Sequence, residues 1–188
     1  MQRSLGLNGH ATTMTRLRHL ARRFFGSLRP GGPSAAEQQW AESKLLPGEQ
    51  AIWRSLSSPD RRHSAAVARR VEVTLGPAAT RPVLAAALLH DCGKVESGLR
   101  TPGRVVATVL AMTAMKTDAD AERWCQSKLS WKRTVGRYRR HPAIGAQMLS
   151  EVGSDAVTVT WTREHHLPRS DWTIDPIISA ALHEADDD

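Results

Sequence analysis

A chain of 188 residues matches one compact domain with a short extension, since domains usually span about 100–200 residues. Hydrophobic residues (40%) and charged residues (24%) occur in globular proportions, which excludes a chain that is disordered throughout. The formal net charge of +7 favours anionic partners such as nucleotides, nucleic acid or acidic lipid, without choosing among them.

The first predicted segment is a basic N-terminal extension, residues 1–33. Residues 14–29 place leucines and phenylalanines at helical spacing with arginines between them, which predicts a basic amphipathic helix. The breakers of Pro30-Gly31-Gly32-Pro33 then predict a linker, so we assign residues 34–188 to the domain. Two roles stay open for residues 14–29: contact with an acidic membrane surface or nucleic acid, and docking on the chain's own domain.

From Ser34 onward, helix start and stop signals recur and strand signals are scarce. Asp60 can cap a helix that runs to Gly76, and Pro82 opens the apolar run VLAAALL, which suits a buried central helix. Further helix starts are predicted at Thr101-Pro102, Pro142, Ser154 and Asp175-Pro176. Since strands do not alternate with these helices, the predicted fold class is all-α.

Cysteine usage and hydropathy bear on the compartment. Cys92 and Cys125 have no CxxC spacing and cannot make a disulfide framework, so a reducing compartment is favoured. No apolar run approaches the roughly 20 residues of a membrane span, and the N-terminus lacks the apolar core of a signal peptide. We expect a cytoplasmic protein, with a peripheral position at the membrane as the alternative.

His90 and Asp91 stand at the end of the apolar run. Burying an unpaired carboxylate is costly, so Asp91 needs a cation, a metal ion or a hydrogen-bond donor beside it. Taken alone, the pair favours a structural hydrogen bond between a buried histidine and a buried aspartate. Other histidines along the chain change that balance.

His63 in RRHSAAVARRV is followed by LLHDCGK, which contains His90, Asp91 and Lys94. Asp186 in the C-terminal EAD completes an H, HD, D order. This order resembles that of the HD-domain metal-dependent phosphohydrolases.

The resemblance extends to a fuller two-metal pattern, that of HDIG-type and HD-GYP-like members. HPAIGAQML contains His141, and REHH contains His165 and His166. HD-GYP proteins have a Gly-Tyr-Pro element after the two histidines, whereas this chain has LPRSDWTIDP, so cyclic di-GMP hydrolysis is not implied. Pro59 stands where some of these enzymes have an extra glutamate ligand, so a third metal is not implied either.

The resemblance implies a compact helical HD-type bundle that holds two divalent ions. Fe or Mn is expected first, with Zn, Mg, Co and Ni as alternatives, because imidazoles and carboxylates suit these ions. Asp91 would bridge the two ions. The first ion would be held by His63, His90, Asp91 and Asp186, and the second by His141, His165 and His166 in addition to Asp91.

The implied activity is that of a phosphomonoesterase or phosphodiesterase acting on a nucleotide or another small phosphate ester through a metal-activated water. Asp91 and Lys94 are the predicted catalytic residues, and Lys94 would also bind the substrate phosphate. Arg137 and Arg140 precede His141 and are also predicted to bind the substrate phosphate. A di-iron HD-fold oxygenase and a non-catalytic sensory or scaffold domain remain alternatives, and no groove-reading nucleic-acid motif is present.

Overall fold

The structure is a computed structural model that describes residues 31–99, 101–115 and 117–187. In this part of the chain every regular element is helical, so the predicted all-α fold class is confirmed. The amphipathic helix predicted for residues 14–29 lies outside the described residues. The described residues form ten α-helices: α1 (Ala35–Ser43), α2 (Pro47–Ser55), α3 (Ser58–Leu75), α4 (Arg81–Leu89), α5 (Thr101–Ala114), α6 (Asp118–Cys125), α7 (Ser130–Arg139), α8 (His141–Glu151), α9 (Ala156–Glu164) and α10 (Pro176–Asp187).

Helix starts follow the local signals with differences of up to three residues. The cap of α3 is Ser57 rather than Asp60, because the Ser57 hydroxyl accepts a hydrogen bond from the Asp60 backbone N–H at 3.3 Å. Similarly, Asp155 rather than Ser154 stands at the cap position of α9. Asp175 caps α10 as predicted, since its carboxylate accepts from two backbone N–H groups of the first turn.

The apolar run of α4 is the centre of the main core. Every residue from Val83 to Leu89 is buried, and α4 packs against α2, α3 and α9. Burying one leucine or valine contributes about 1.5–3 kcal/mol, so this helix is fixed on all sides by its neighbours. His90 and Asp91 follow directly and are therefore carried into the interior.

Helices α5, α6 and α7 build a second, smaller core, which we call the α5–α7 unit. Its buried residues are Ala107, Ala111, Met115, Ala121 and Val135. The unit meets the rest of the chain through α7, which packs against the 3-10 turn Cys92–Ser97. No helix among the described residues has both the length and the apolar composition needed to cross a membrane.

Two glycines allow the 3-10 turn after Asp91 to approach α8 closely. A Cβ at Gly93 would lie 2.1 Å from the His141 carbonyl oxygen, and one at Gly145 would lie 3.0 Å from the Gly93 backbone nitrogen. Only glycine fits at such a backbone approach. The glycine of LLHDCGK therefore holds Asp91 and His141 next to each other, although they are 50 residues apart in the sequence.

Candidate metal centre

Three buried histidines stand where a helix ends. His90 follows α4, His141 follows α7 and begins α8, and His165 follows α9. In each, the N–H at Nδ1 donates to the backbone carbonyl three residues earlier, at 3.0 Å for His90, 2.7 Å for His141 and 2.9 Å for His165. The last carbonyls of a helix have no partner within the helix, so they are available to hold an imidazole ring.

This arrangement fixes the tautomer of the rings. When Nδ1 carries the proton and donates it to a carbonyl, Nε2 of a neutral imidazole presents a lone pair. Among the described residues, no group hydrogen-bonds to Nε2 of His90, His141 or His165. Three buried lone pairs without donors are costly, unless a cation lies between them.

The three Nε2 atoms converge on carboxylate oxygens. Nε2 of His141 and Nε2 of His165 lie 3.2 and 3.5 Å from Asp91 Oδ1. Nε2 of His90 lies 3.5 Å from Asp91 Oδ2 and 3.4 Å from Asp186 Oδ1. A neutral Nε2 lone pair and an anionic oxygen repel each other, whereas a metal ion between them is attracted by both.

All seven predicted ligands come together in two groups whose ligand atoms lie within 4.8 Å of one another: Asp91, His141, His165 and His166 in one, and His63, His90 and Asp186 in the other. His90 links the groups, because its Nε2 faces a carboxylate of each. The rings of His165 and His166 reach the same space, with centroids 4.0 Å apart, because the backbone leaves the helix at His165.

The last helix is docked firmly enough to present Asp186. Nε and Nη2 of Arg70 on α3 donate to the Ala185 carbonyl oxygen at 2.9 and 2.6 Å, which pairs a carbonyl near the helix end. Nε2 of His63 lies 2.9 Å from Asp186 Oδ1. Asp186 therefore does not depend on a frayed terminus for its position.

Lys94 lies against Asp91. Its ammonium forms an ion pair with Asp91 Oδ2, and the two side chains are only 13% and 12% exposed. Burial opposes ionisation of Asp91, but Lys94 and then His90 outweigh it and hold the pKa of Asp91 well below its usual range. Asp91 is thus an anion at neutral pH, as a metal ligand must be.

The histidines differ in their charge preference. Burial lowers the pKa of His90, but the carboxylates of Asp91 and Asp186 outweigh burial and raise it to about 10. Burial lowers the pKa of His141 to about 4 and also lowers that of His165. Without a metal ion, the cluster draws a proton to His90, which is the behaviour of a site built for a cation.

The two arginines predicted to bind substrate do not join the cluster. Nη1 of Arg140 is ion-paired with Glu122, and Arg137 is exposed in a surface depression beside Glu96. Arg137 and Arg140 share one face of the helical turn before His141, as residues three apart do. Their contact with substrate stays a prediction that this geometry does not support.

Sequence reasoning missed Tyr138 and Arg104, which border the cluster. The ring of Tyr138 lies 5.8 Å from that of His141, and its position three residues earlier was the available signal. The guanidinium of Arg104 binds the carboxylate of Asp60 across 44 residues of sequence, which no local pattern indicates.

No family model, curated protein or solved structure matches the chain. Membership in the HD-domain family is therefore a prediction from the order of the motifs. What the structure adds is the convergence of the residues themselves.

The donor set fits a divalent first-row ion. Neutral imidazoles and carboxylates suit Fe, Mn, Zn and related ions. The second nitrogen of His90, His141 and His165 is held by a carbonyl, which is the orienting contact that metal-bound histidines usually have. Cys92 is not part of the set: burial raises the pKa of its thiol to about 12, and its sulfur packs near Gly145.

Proposed function

We propose that this chain is an HD-type metal-dependent phosphohydrolase that holds two divalent ions, Fe or Mn first, and acts on a nucleotide or another small phosphate ester. One observation carries the proposal: the Nε2 atoms of three buried histidines, whose rings are each oriented by a backbone carbonyl, converge on the carboxylates of Asp91 and Asp186. A purely structural cluster would pair these nitrogens with donors or acceptors.

The two groups of ligand atoms support two ions. Asp91, His141, His165 and His166 would hold one, and His63, His90 and Asp186 the other. Asp91 is suited to contact both, since its Oδ1 faces His141 and its Oδ2 faces His90. A pair of divalent ions supplies an activated water at neutral pH and stabilises charge on a phosphate undergoing in-line displacement.

The chain's own residues would supply orientation and charge around that chemistry. The carbonyl contacts at Nδ1 fix the direction of the imidazole rings, so little reorganisation is needed when the site is loaded. Lys94 presents an ammonium beside Asp91, where it can attract a substrate phosphate. Because both side chains are largely buried, this attraction is screened less than at the surface.

The proposal is tested by loading the purified chain with Mn²⁺ or, under anaerobic conditions, Fe²⁺, measuring metal content, and assaying phosphomonoesters and phosphodiesters. Asp91→Ala is expected to lose metal and turnover. Lys94→Met is expected to keep the metal and lose at least about tenfold in kcat/KM. Lys44→Met, which removes a lysine that follows α1 and pairs with Glu72 of α3, is the matched control and is expected to match wild type.

The same experiment separates the alternatives. Oxygen consumption by the iron-loaded chain, with a mixed-valent iron signal and no ester hydrolysis, would establish the di-iron oxygenase instead. A wild-type chain that binds no divalent ion under reducing conditions would leave the sensory or scaffold function. Unchanged kinetics in Lys94→Met would remove the catalytic role assigned to that lysine.

A further inference from the structure

A second cation, Arg104 on α5, lies at the edge of the metal cluster. Its Nη1 and Nη2 donate to the two carboxylate oxygens of Asp60 at 2.6 and 2.9 Å, and its Nε donates to the Leu99 carbonyl oxygen at 2.9 Å. The side chains of Arg104 and Asp60 are 18% and 20% exposed, so the pair borders solvent instead of being sealed in the core. Arg104 is therefore an oriented cation that a ligand can reach.

The position of Asp60 places this pair beside the cluster. Asp60 and His63 are three residues apart on α3, and residues with that spacing share one face of a helix. The guanidinium of Arg104, which binds Asp60, therefore lies about one helical turn from the predicted ligand His63.

Tyr138 connects the helix of Arg104 to the other group of ligands. Thr108, one turn after Arg104 on α5, donates from Oγ1 to the Tyr138 hydroxyl at 3.3 Å. The Tyr138 carbonyl accepts the hydrogen bond from His141 Nδ1 at 2.7 Å. Tyr138 thus connects α5, the helix that carries Arg104, to the predicted ligand His141.

The charges at this edge interact with those of the cluster. Burial opposes ionisation of Asp60, but Arg104, and to a smaller extent Lys94, lower the pKa of its carboxyl. Burial lowers the pKa of Arg104, but the hydrogen bonds to Asp60 and the charge of Asp60 outweigh it and raise this pKa. The charge of Asp91 contributes further in the same direction. The charge of Arg104 therefore interacts with that of the predicted ligand Asp91. The charge of Lys94 interacts with that of Asp60.

The guanidinium has unused hydrogen-bonding capacity. It carries five N–H groups in a planar fork that fits phosphate oxygens. Three of them bind Asp60 and Leu99, and the other two have no acceptor within the described parts of the chain. Charge-assisted hydrogen bonds from such N–H groups to phosphate oxygens are short and strong.

We propose that Arg104 binds the phosphate group of the substrate beside Lys94, and that Asp60 is an anion that competes with this phosphate for the guanidinium. This inference rests on the proposed phosphohydrolase function. It assigns to Arg104 the phosphate-binding role that was predicted for Arg137 and Arg140.

The test uses inorganic phosphate as the probe, titrated by calorimetry into the full-length, Mn²⁺-saturated chain. Arg104→Gln is expected to weaken phosphate binding by at least about tenfold, the effect of one lost charge-assisted hydrogen bond. Asp60→Asn is expected to bind phosphate as well as wild type or more tightly, because the guanidinium loses a competing anion. The matched control is Arg123→Gln, which removes an exposed arginine of α6 and is expected to change nothing.

The two variants break the same ion pair, so they separate binding from structure. If the pair only ties α5 to α3, Arg104→Gln and Asp60→Asn will weaken phosphate binding and lower thermal stability together, and the inference is overturned. Wild-type phosphate affinity in Arg104→Gln, or no phosphate binding by the wild-type chain, overturns it as well. Failure of the proposed function is distinguishable: the wild-type chain would bind metal and phosphate yet hydrolyse no ester.

Discussion

Replacing His141 with leucine distinguishes a metal ligand from a core histidine. In the metal-free chain, the change removes the hydrogen bond from Nδ1 to the Tyr138 carbonyl, worth about 0.5–1.5 kcal/mol. It also removes a buried Nε2 without a hydrogen bond, whose burial costs about 1–3 kcal/mol. The two effects oppose each other, so we expect the metal-free free energy of unfolding to change by between a loss of about 0.5 kcal/mol and a gain of about 2.5 kcal/mol.

The metal-loaded chain is expected to respond differently. A divalent ion at 100 times its dissociation constant stabilises the folded state by about 2.7 kcal/mol, which for a domain of this size corresponds to a rise in Tm of roughly 5–11 °C. His141→Leu removes one of the four residues in its group and should lose much of that rise. Thermal and urea unfolding, followed by circular dichroism with EDTA or with saturating Zn²⁺, measure both states.

The control is His183→Leu. His183 lies on α10 with its ring against Trp172 and belongs to neither ligand group. It should keep the full metal-dependent rise in Tm. If His141→Leu instead destabilises the chain equally with EDTA and with Zn²⁺, His141 is a structural core residue and the metal centre is contradicted.

Three further changes test how the fold positions the centre. Gly93→Ala should destabilise the chain by at least about 1–3 kcal/mol in urea, because its Cβ would lie 2.1 Å from a carbonyl oxygen. Arg70→Met should weaken Zn²⁺ binding about tenfold or more in a competition titration, since α10 loses the contact that holds Asp186. Asp60→Asn should destabilise the metal-free chain at pH 7. Arg104 holds the pKa of Asp60 in the folded chain below its value of about 3.9 in the unfolded chain. The stability difference between wild type and Asp60→Asn should therefore shrink as the pH falls below about 3.9, and vanish once the pH is below the folded pKa.

Each of these changes has a matched comparison. Gly32→Ala places a Cβ 3.4 Å from Ser58 and should be tolerated. Arg69→Met removes a neighbouring, more exposed arginine and should leave Zn²⁺ binding unchanged. Equal Zn²⁺ affinities in Arg69→Met and Arg70→Met would show that the docking of α10 does not matter. An Asp60→Asn difference that persists unchanged at pH 2 would show that the ion pair is not its source.

Much of the fold class, and the burial of His90 and Asp91, could be predicted because the signals are local. The run VLAAALL is too apolar for a surface helix, and the structure buries it on all sides. His90 and Asp91 follow that run without a break, so their burial follows from their position. The cap of α10 at Asp175 was likewise contained in a two-residue signal.

The rest depended on which distant elements meet. The pairing of Asp60 with Arg104 spans 44 residues, and neither residue carries a local mark of it. Arg137 and Arg140 were chosen because they are basic and precede His141, but helical geometry places Tyr138 on the side of His141 and directs Arg140 to Glu122. The group that orients each histidine is a backbone carbonyl. Because every residue type has this carbonyl, the sequence does not indicate the contact.

The central claim is that Nε2 of the buried histidines is a lone-pair donor to a metal ion. Nitrogen NMR of the ¹⁵N-labelled full chain, before and after addition of Zn²⁺, reports the protonation of each imidazole nitrogen directly. We expect His141 and His165 to carry the proton on Nδ1 without metal, and their Nε2 resonances to shift on Zn²⁺ addition. Protonated Nε2 in these residues, or Nε2 resonances that Zn²⁺ leaves unchanged, would contradict the account.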